Sequence, residues 1–206
     1  MRICEMFRSI QGEGVMMGSV TFFIRTAGCN LSCSWCDTGY SDEGGEELSV
    51  ETITERVKDE RNVCITGGEP LLQDDVYDLM DALLKEGKKI VLETNGSVDI
   101  SKVPVNEDIV ISMDIKCPSS GMSDNMMISN IGYLKSTDQL KFVISDGFDM
   151  EYAESFISSE IKCNIIFTPV GGMDIRPLAE EVLKRRMNVR VLPQLHKIIW
   201  GNKRAV

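Results

Sequence analysis

The chain has 206 residues, 43% apolar and 26% charged, which excludes a disordered segment and fits one domain, residues 1–206, with a substantial core. Its 22 basic and 32 acidic residues leave a formal charge of −10, which argues against binding a nucleic-acid backbone and leaves small molecules and proteins as partners. No apolar run approaches the roughly 20 residues that span a bilayer, and Met1-Arg2-Ile3-Cys4-Glu5 has no signal-peptide core, so the expectation is a cytoplasmic protein without a membrane segment.

Strands and helices alternate along the chain. Val20–Arg25 is β-branched and aromatic and predicts a strand. Ser49–Val57 opens on a capping serine and puts Val50, Ile53 and Val57 on one helical face. A short strand at Val63–Thr66 precedes a helix over Asp75–Lys85, where Val76, Leu79, Met80 and Leu83 align and Gly87 stops the run. Strands are expected at Lys89–Glu93, Ile109–Met113, Leu140–Ser145, Asn164–Thr168 and Val189–Leu192, with helices over Met150–Ile161 and Ile175–Met187. Ser119–Ser136 lacks periodicity and reads as a long loop. Apolar strands separated by amphipathic helices imply a mostly parallel sheet, because parallel neighbours need long crossovers. The candidates fall short of the eight strands of a complete barrel. The fold class is therefore α/β, as an open, partial (abridged) parallel β/α barrel.

Seven cysteines beside a single histidine stand out. An odd count at uneven spacing does not make a disulfide framework. Three of them, in Gly28-Cys29-Asn30-Leu31-Ser32-Cys33-Ser34-Trp35-Cys36-Asp37-Thr38, follow the first strand with the spacing C-x3-C-x2-C. A structural zinc site is one reading, and it needs a fourth ligand from Cys4, Cys64, Cys117, Cys163 or His196. Three thiolates on one loop suit a four-iron cluster better, since three irons are held and one stays open. A second element, Thr66-Gly67-Gly68-Glu69-Pro70, follows the strand at Val63–Thr66. Its glycines allow close backbone approach, and Glu69 could receive an ammonium group, although an ordinary strand-to-helix turn would look similar. Cys4, Cys64, Cys117 and Cys163 read as packing residues.

The cysteine spacing with Trp35 before the last cysteine, and the Gly67-Gly68-Glu69-Pro70 element, resemble the radical S-adenosylmethionine superfamily. Phe7–Gly14, Arg25, Cys36-Asp37-Thr38, Glu93-Thr94-Asn95-Gly96 and Leu192–Lys197 narrow the resemblance to the 7-carboxy-7-deazaguanine synthase family. That resemblance implies a homodimeric lyase that converts 6-carboxy-5,6,7,8-tetrahydropterin to 7-carboxy-7-deazaguanine and ammonia, a step toward queuosine and archaeosine. It implies a [4Fe-4S] cluster on Cys29, Cys33 and Cys36, S-adenosyl-L-methionine, Mg²⁺ on Thr38, and an electron donor of flavodoxin or ferredoxin type. Cofactor contacts are implied at Trp35, Cys36, Asp37, Gly68, Asp114, Ile115, Lys116, Thr168, Pro169, Val170 and Gly171. Substrate contacts are implied at Ile10, Gln11, Gly12, Arg25, Thr66 and the terminal residue Val206, with Arg25 and Thr38 in catalytic roles. A guanidinium suits the substrate carboxylate and a hydroxyl oxygen suits magnesium. The alternative is a small activating enzyme that makes a glycyl radical on a protein partner, which would share the cysteine loop but have no need of Gln11–Gly14 or His196.

Overall fold

The computed structural model describes residues 1–42, 44–158 and 160–206. Among them, nine strands form one sheet: β1 (Arg2–Ile10), β2 (Val20–Thr26), β3 (Glu46–Glu47), β4 (Asn62–Gly67), β5 (Lys89–Thr94), β6 (Ile109–Ile115), β7 (Gln139–Ile144), β8 (Asn164–Pro169) and β9 (Arg190–Val191). Their order is β3-β1-β2-β4-β5-β6-β7-β8-β9. β1 is antiparallel to β2 and β3, and every pairing from β2 to β9 is parallel. The order is linear, with β3 and β9 as free edges, so the barrel is abridged rather than closed. Five helices accompany it: α1 (Val50–Arg56), α2 (Asp75–Lys85), α3 (Gly147–Glu154), α4 (Arg176–Arg185) and α5 (Leu195–Trp200). None of the described helices is long and apolar enough to cross a membrane.

Strand alternation separates the two faces of the sheet. Val63, Ile65, Ile90, Leu92, Ile111, Met113, Leu140 and Phe142 belong to one apolar core. The helices supply the opposing layer, through Ile53 of α1, Val76, Leu79, Met80 and Leu83 of α2, and Leu178 and Val182 of α4. The intervening residues turn to the concave face, where Arg25, Cys64, Thr66, Glu93, Asp114 and Lys141 line a cavity. A residue's parity along its strand thus decides whether it packs or meets a ligand.

The parallel strands match expectation closely, and α2 spans the expected Asp75–Lys85. Ser49 caps α1, its hydroxyl accepting from Thr52 N at 3.2 Å. Three expectations change. Arg2–Ile10, not read as an element, is the strand that turns β2 into a hairpin. The helix expected over Met150–Ile161 starts earlier and stops at Glu154. The Asp146 carboxylate accepts from Phe148 N at 2.9 Å and Asp149 N at 3.0 Å, nucleating the first turn upstream. The apolar Phe156, Ile157 and Ile161 beyond it pack on the core outside the helix, and Ser159 lies outside the described residues. The 119–136 loop contains short 3-10 turns at Ser123–Asn125 and Ile128–Tyr133. Buried Asn130 pins it by donating to Val98 O at 2.7 Å and Gly96 O at 3.3 Å.

Candidate active site

The cavity, about 740 Å³, opens at the C-terminal ends of the parallel strands, where ligands collect in α/β folds. Cys29, Cys33 and Cys36 lie on the loop that leaves β2, and all three line the cavity as free thiols. Burial pushes the Cys33 thiol above its ordinary range. Cys29 Sγ accepts from Leu31 N at 3.4 Å and from Asn95 Nδ2 at 3.7 Å. A Cβ on Gly68 would lie 2.1 Å from Gly28 O and 2.7 Å from Cys29 Cβ. Only glycine lets the two motif loops touch.

Glu69 departs from expectation. Its carboxylate accepts from Leu71 N at 3.0 Å, Thr94 Oγ1 at 2.9 Å and Asn95 N at 2.6 Å, and the side chain is fully buried. Those bonds tie the ends of β4 and β5 together, and Glu69 itself does not line the cavity. The residue braces the motif; burial raises its carboxyl above the usual range.

The floor of the cavity is charged. Lys141 Nζ, on β7, reaches Glu13 at 2.5 Å, Asp114 Oδ1 at 3.3 Å and Glu93 at 3.4 Å. Lys116 Nζ holds Asp114 Oδ2 at 2.7 Å. Burial opposes ionisation of Asp114, but the two lysines outweigh it and bring the carboxyl down to about 2. Burial likewise opposes the Lys141 charge, and the three carboxylates overcome it, pushing its pKa well up. Glu93 goes the other way: burial raises it despite Lys141. Asp114 Oδ1 is buried and meets the Lys141 ammonium at 3.3 Å without a well-aligned hydrogen bond.

The N-terminal loop closes one side. Gln11 and Gly12 line the cavity, and Gln11 Nε2 donates to Cys64 Sγ at 3.6 Å. Glu13 joins this loop to both the floor and the C-terminal region, since Gln194 Nε2 donates to its second oxygen at 2.6 Å. A Cβ on Gly12 would fall 2.1 Å from His196 Nδ1, so glycine lets the histidine into the site. Burial lowers the His196 pKa, against Glu13 and Asp37. On the opposite side, Arg25 Nε donates to Glu5 Oε1 at 2.7 Å. Thr38 Oγ1 donates to Asp37 Oδ1 at 3.1 Å, placing hydroxyl and carboxylate oxygens together on the cavity wall. Ser9 Oγ donates to the backbone oxygen of Val206, which brings the last residue to the same wall.

Most expected site residues therefore meet in one cavity: Ile10, Gln11, Gly12, Arg25, Trp35, Asp37, Thr66, Gly68, Lys116, Pro169, Gly171 and Val206 all line it. Ile115, Thr168 and Val170 do not. Ile115 belongs to the apolar core, as parity on β6 requires, and Thr168 is 4% exposed. Sequence reading missed the roles of Glu13, Lys141, Tyr40 and Glu5 at the cavity rim and floor. Glu13 sat unassigned inside a quoted motif, whereas Lys141 looked like an ordinary polar position in an alternating strand.

Comparison with known proteins agrees with this geometry. Residues 23–117, from β2 to just past β6, match the family model of the Radical SAM superfamily. The chain is 40% identical over 205 residues to the 7-carboxy-7-deazaguanine synthase of Thermoplasma acidophilum, with 98% of each chain covered. It is 46% identical over 203 residues to that of Methanospirillum hungatei, covering 97% of this chain and 85% of the relative. The crystal structure of QueE from Escherichia coli superposes with a TM-score of 0.74 at 23% identity over 92% of each chain, a likeness of fold. Fold and cysteine loop thus define a radical S-adenosylmethionine enzyme. Within that class, the chain belongs to the 7-carboxy-7-deazaguanine synthase family.

Membership implies a [4Fe-4S] cluster and S-adenosylmethionine, and the residues present fit both. Three free thiols share one loop on the cavity, and two of the other cysteines (Cys117 and Cys163) are buried in the core.

Proposed function

We propose that this chain, as a single domain, carries out the reaction of its family: conversion of 6-carboxy-5,6,7,8-tetrahydropterin to 7-carboxy-7-deazaguanine with release of ammonia, in 7-deazapurine biosynthesis. The observation that carries this reading is the meeting, in one cavity, of the three-cysteine loop with Gln11, Arg25 and Val206 from three distant parts of the chain. Held by Cys29, Cys33 and Cys36, a cluster with S-adenosylmethionine beside it would supply one-electron radical chemistry at the cavity.

The chain's own residues do the positioning. Cys29, Cys33 and Cys36 would hold three irons, with Asn95 bonding the Cys29 sulfur. Trp35, Cys36, Asp37 and Gly68 would meet the cofactor, along with Asp114-Ile115-Lys116 and Thr168–Gly171. Ile115, Thr168 and Val170 do not line the cavity and would act by supporting their neighbours Asp114, Lys116, Pro169 and Gly171, which do. Glu5 occupies the Nε edge of Arg25, which orients the guanidinium's other edge to clamp the substrate carboxylate. Gln11 and Gly12 would cover the pterin, with Ile10, Thr66 and Val206 around it. Thr38, beside the Asp37 carboxylate, gives Mg²⁺ the hard oxygen it prefers. The acceptance of a free pterin fits an acidic protein with no nucleic-acid partner. We further propose a cytoplasmic homodimer served by a flavodoxin- or ferredoxin-type donor.

The test is anaerobic reconstitution with iron and sulfide. The protein should gain a broad visible absorption that dithionite bleaches, and then cleave S-adenosylmethionine in a manner dependent on the tetrahydropterin acid. A colourless, zinc-loaded protein would overturn the proposal.

A further inference from the structure

The chain's last five residues, Asn202–Val206, all line the cavity, although they form no strand or helix. Something must hold them there. At the outer end Ser9 Oγ donates to Val206 O. In the middle, the Arg204 guanidinium carbon sits 3.4 Å from the centroid of the Tyr40 ring, and Arg204 Nη2 lies 4.0 Å from Glu5 Oε2. Tyr40 OH in turn donates to Glu5 Oε1 at 3.0 Å, the oxygen that also accepts from Arg25 Nε at 2.7 Å. One carboxylate on β1 therefore gathers the β2 arginine, the turn that follows Thr38, and the C-terminal tail.

We propose that Arg204 is a positioning residue: by stacking on Tyr40 and facing Glu5, it latches the tail across the cavity, so that Val206 and Arg25 are held ready for the substrate. The stack is specific to a planar cation on an aromatic face. Arg204 is itself half exposed, with 57% of its side-chain surface accessible. Its replacement therefore loosens the tail without disturbing the core. The cost belongs to substrate binding, because the cysteine loop and the Gly68 turn are held by other bonds.

The substrate arm of the test rests on the proposed function, and a second arm does not. Cluster-loaded wild type, Arg204→Gln, Tyr40→Phe and Tyr40→Leu are first exposed to a carboxypeptidase, and loss of Val206 and Ala205 is followed by intact mass. Arg204→Gln and Tyr40→Leu should be trimmed several-fold faster than wild type, whereas Tyr40→Phe, which keeps the ring, should trim slowly. In turnover, Arg204→Gln should raise KM for the tetrahydropterin acid about two- to fivefold, the factor a partly exposed cation–π contact supplies. Its kcat should stay within about twofold, with unchanged S-adenosylmethionine affinity. Wild-type trimming and KM in Arg204→Gln would overturn the latch, as would Tyr40→Leu behaving like Tyr40→Phe. Faster trimming in a protein that makes no deazaguanine acid would leave the latch standing and remove the substrate assignment instead.

Discussion

Replacing Lys141 with methionine is the sharpest perturbation of the cavity floor. Methionine keeps the length and apolar stem but strands Glu13 and Glu93, while Asp114 keeps its second cation, Lys116, at 2.7 Å. Each contact is within 3.4 Å, and one ion pair at such range is worth about 4 kcal/mol at an effective dielectric of about 20. The desolvation of Lys141 itself, several kcal/mol, works the other way. The net for removing one partner of a buried ion network is about 3–5 kcal/mol, or roughly 6–20 °C in Tm for a chain of this size. Urea denaturation followed by far-UV circular dichroism measures it. The pH dependence gives a second check. In wild type, Asp114 has a folded pKa of about 2 against an ordinary 3.8, so its contribution, about 2 kcal/mol, is complete above pH 3.8 and lost as pH falls toward 2. In the variant Glu13 and Glu93 lose the cation that favours their charged forms, so acid neutralises them and restores stability, whereas Lys116 still holds Asp114. The gap between the two proteins must therefore shrink on acidification. A loss below about 1 kcal/mol, or a gap independent of pH, would show that the network does not stabilise the floor.

Gly68→Ala forces a Cβ against the Gly28 carbonyl; backbone cannot swing aside as a side chain does, so iron content after reconstitution should fall severalfold, and wild-type iron loading would count against the close approach. Thr38→Ala should load its cluster normally but lose the response of turnover to added magnesium, and unchanged stimulation would remove Thr38 from the metal site. Deleting Val206 breaks the contact with Ser9 and should raise KM for the tetrahydropterin acid more than it affects cluster assembly, which a wild-type KM would contradict.

The parallel sheet was legible because its strands repeat one physical pattern, apolar toward the helices and polar or small toward the cavity, between helices with clear periodicity. β1 was not, since Arg2–Ile10 is half-buried along much of its length and mixes Glu5 and Arg8 with Ile3 and Phe7. α5, at six residues, is too short for helical periodicity to register. In the site, Cys29, Cys33 and Cys36 could be read from spacing alone, because one loop supplies them. Glu69 could not: its sequence offers a carboxylate beside glycines, and only the positions of Thr94 and Asn95 show that it is already satisfied. Lys141 and its three carboxylates come from four separate segments, so their meeting is a property of strand order and parity. The same holds for Glu5, Tyr40 and Arg204.

Product formation is the direct test of the proposed reaction. Reconstituted protein, S-adenosylmethionine, magnesium, reductant and 6-carboxy-5,6,7,8-tetrahydropterin are incubated without oxygen, and the mixture is analysed by mass spectrometry with ammonia measured alongside. 7-Carboxy-7-deazaguanine and ammonia should form in equal amounts. Accumulation of 5′-deoxyadenosine with the pterin unconsumed would contradict that reaction and point to an activating enzyme.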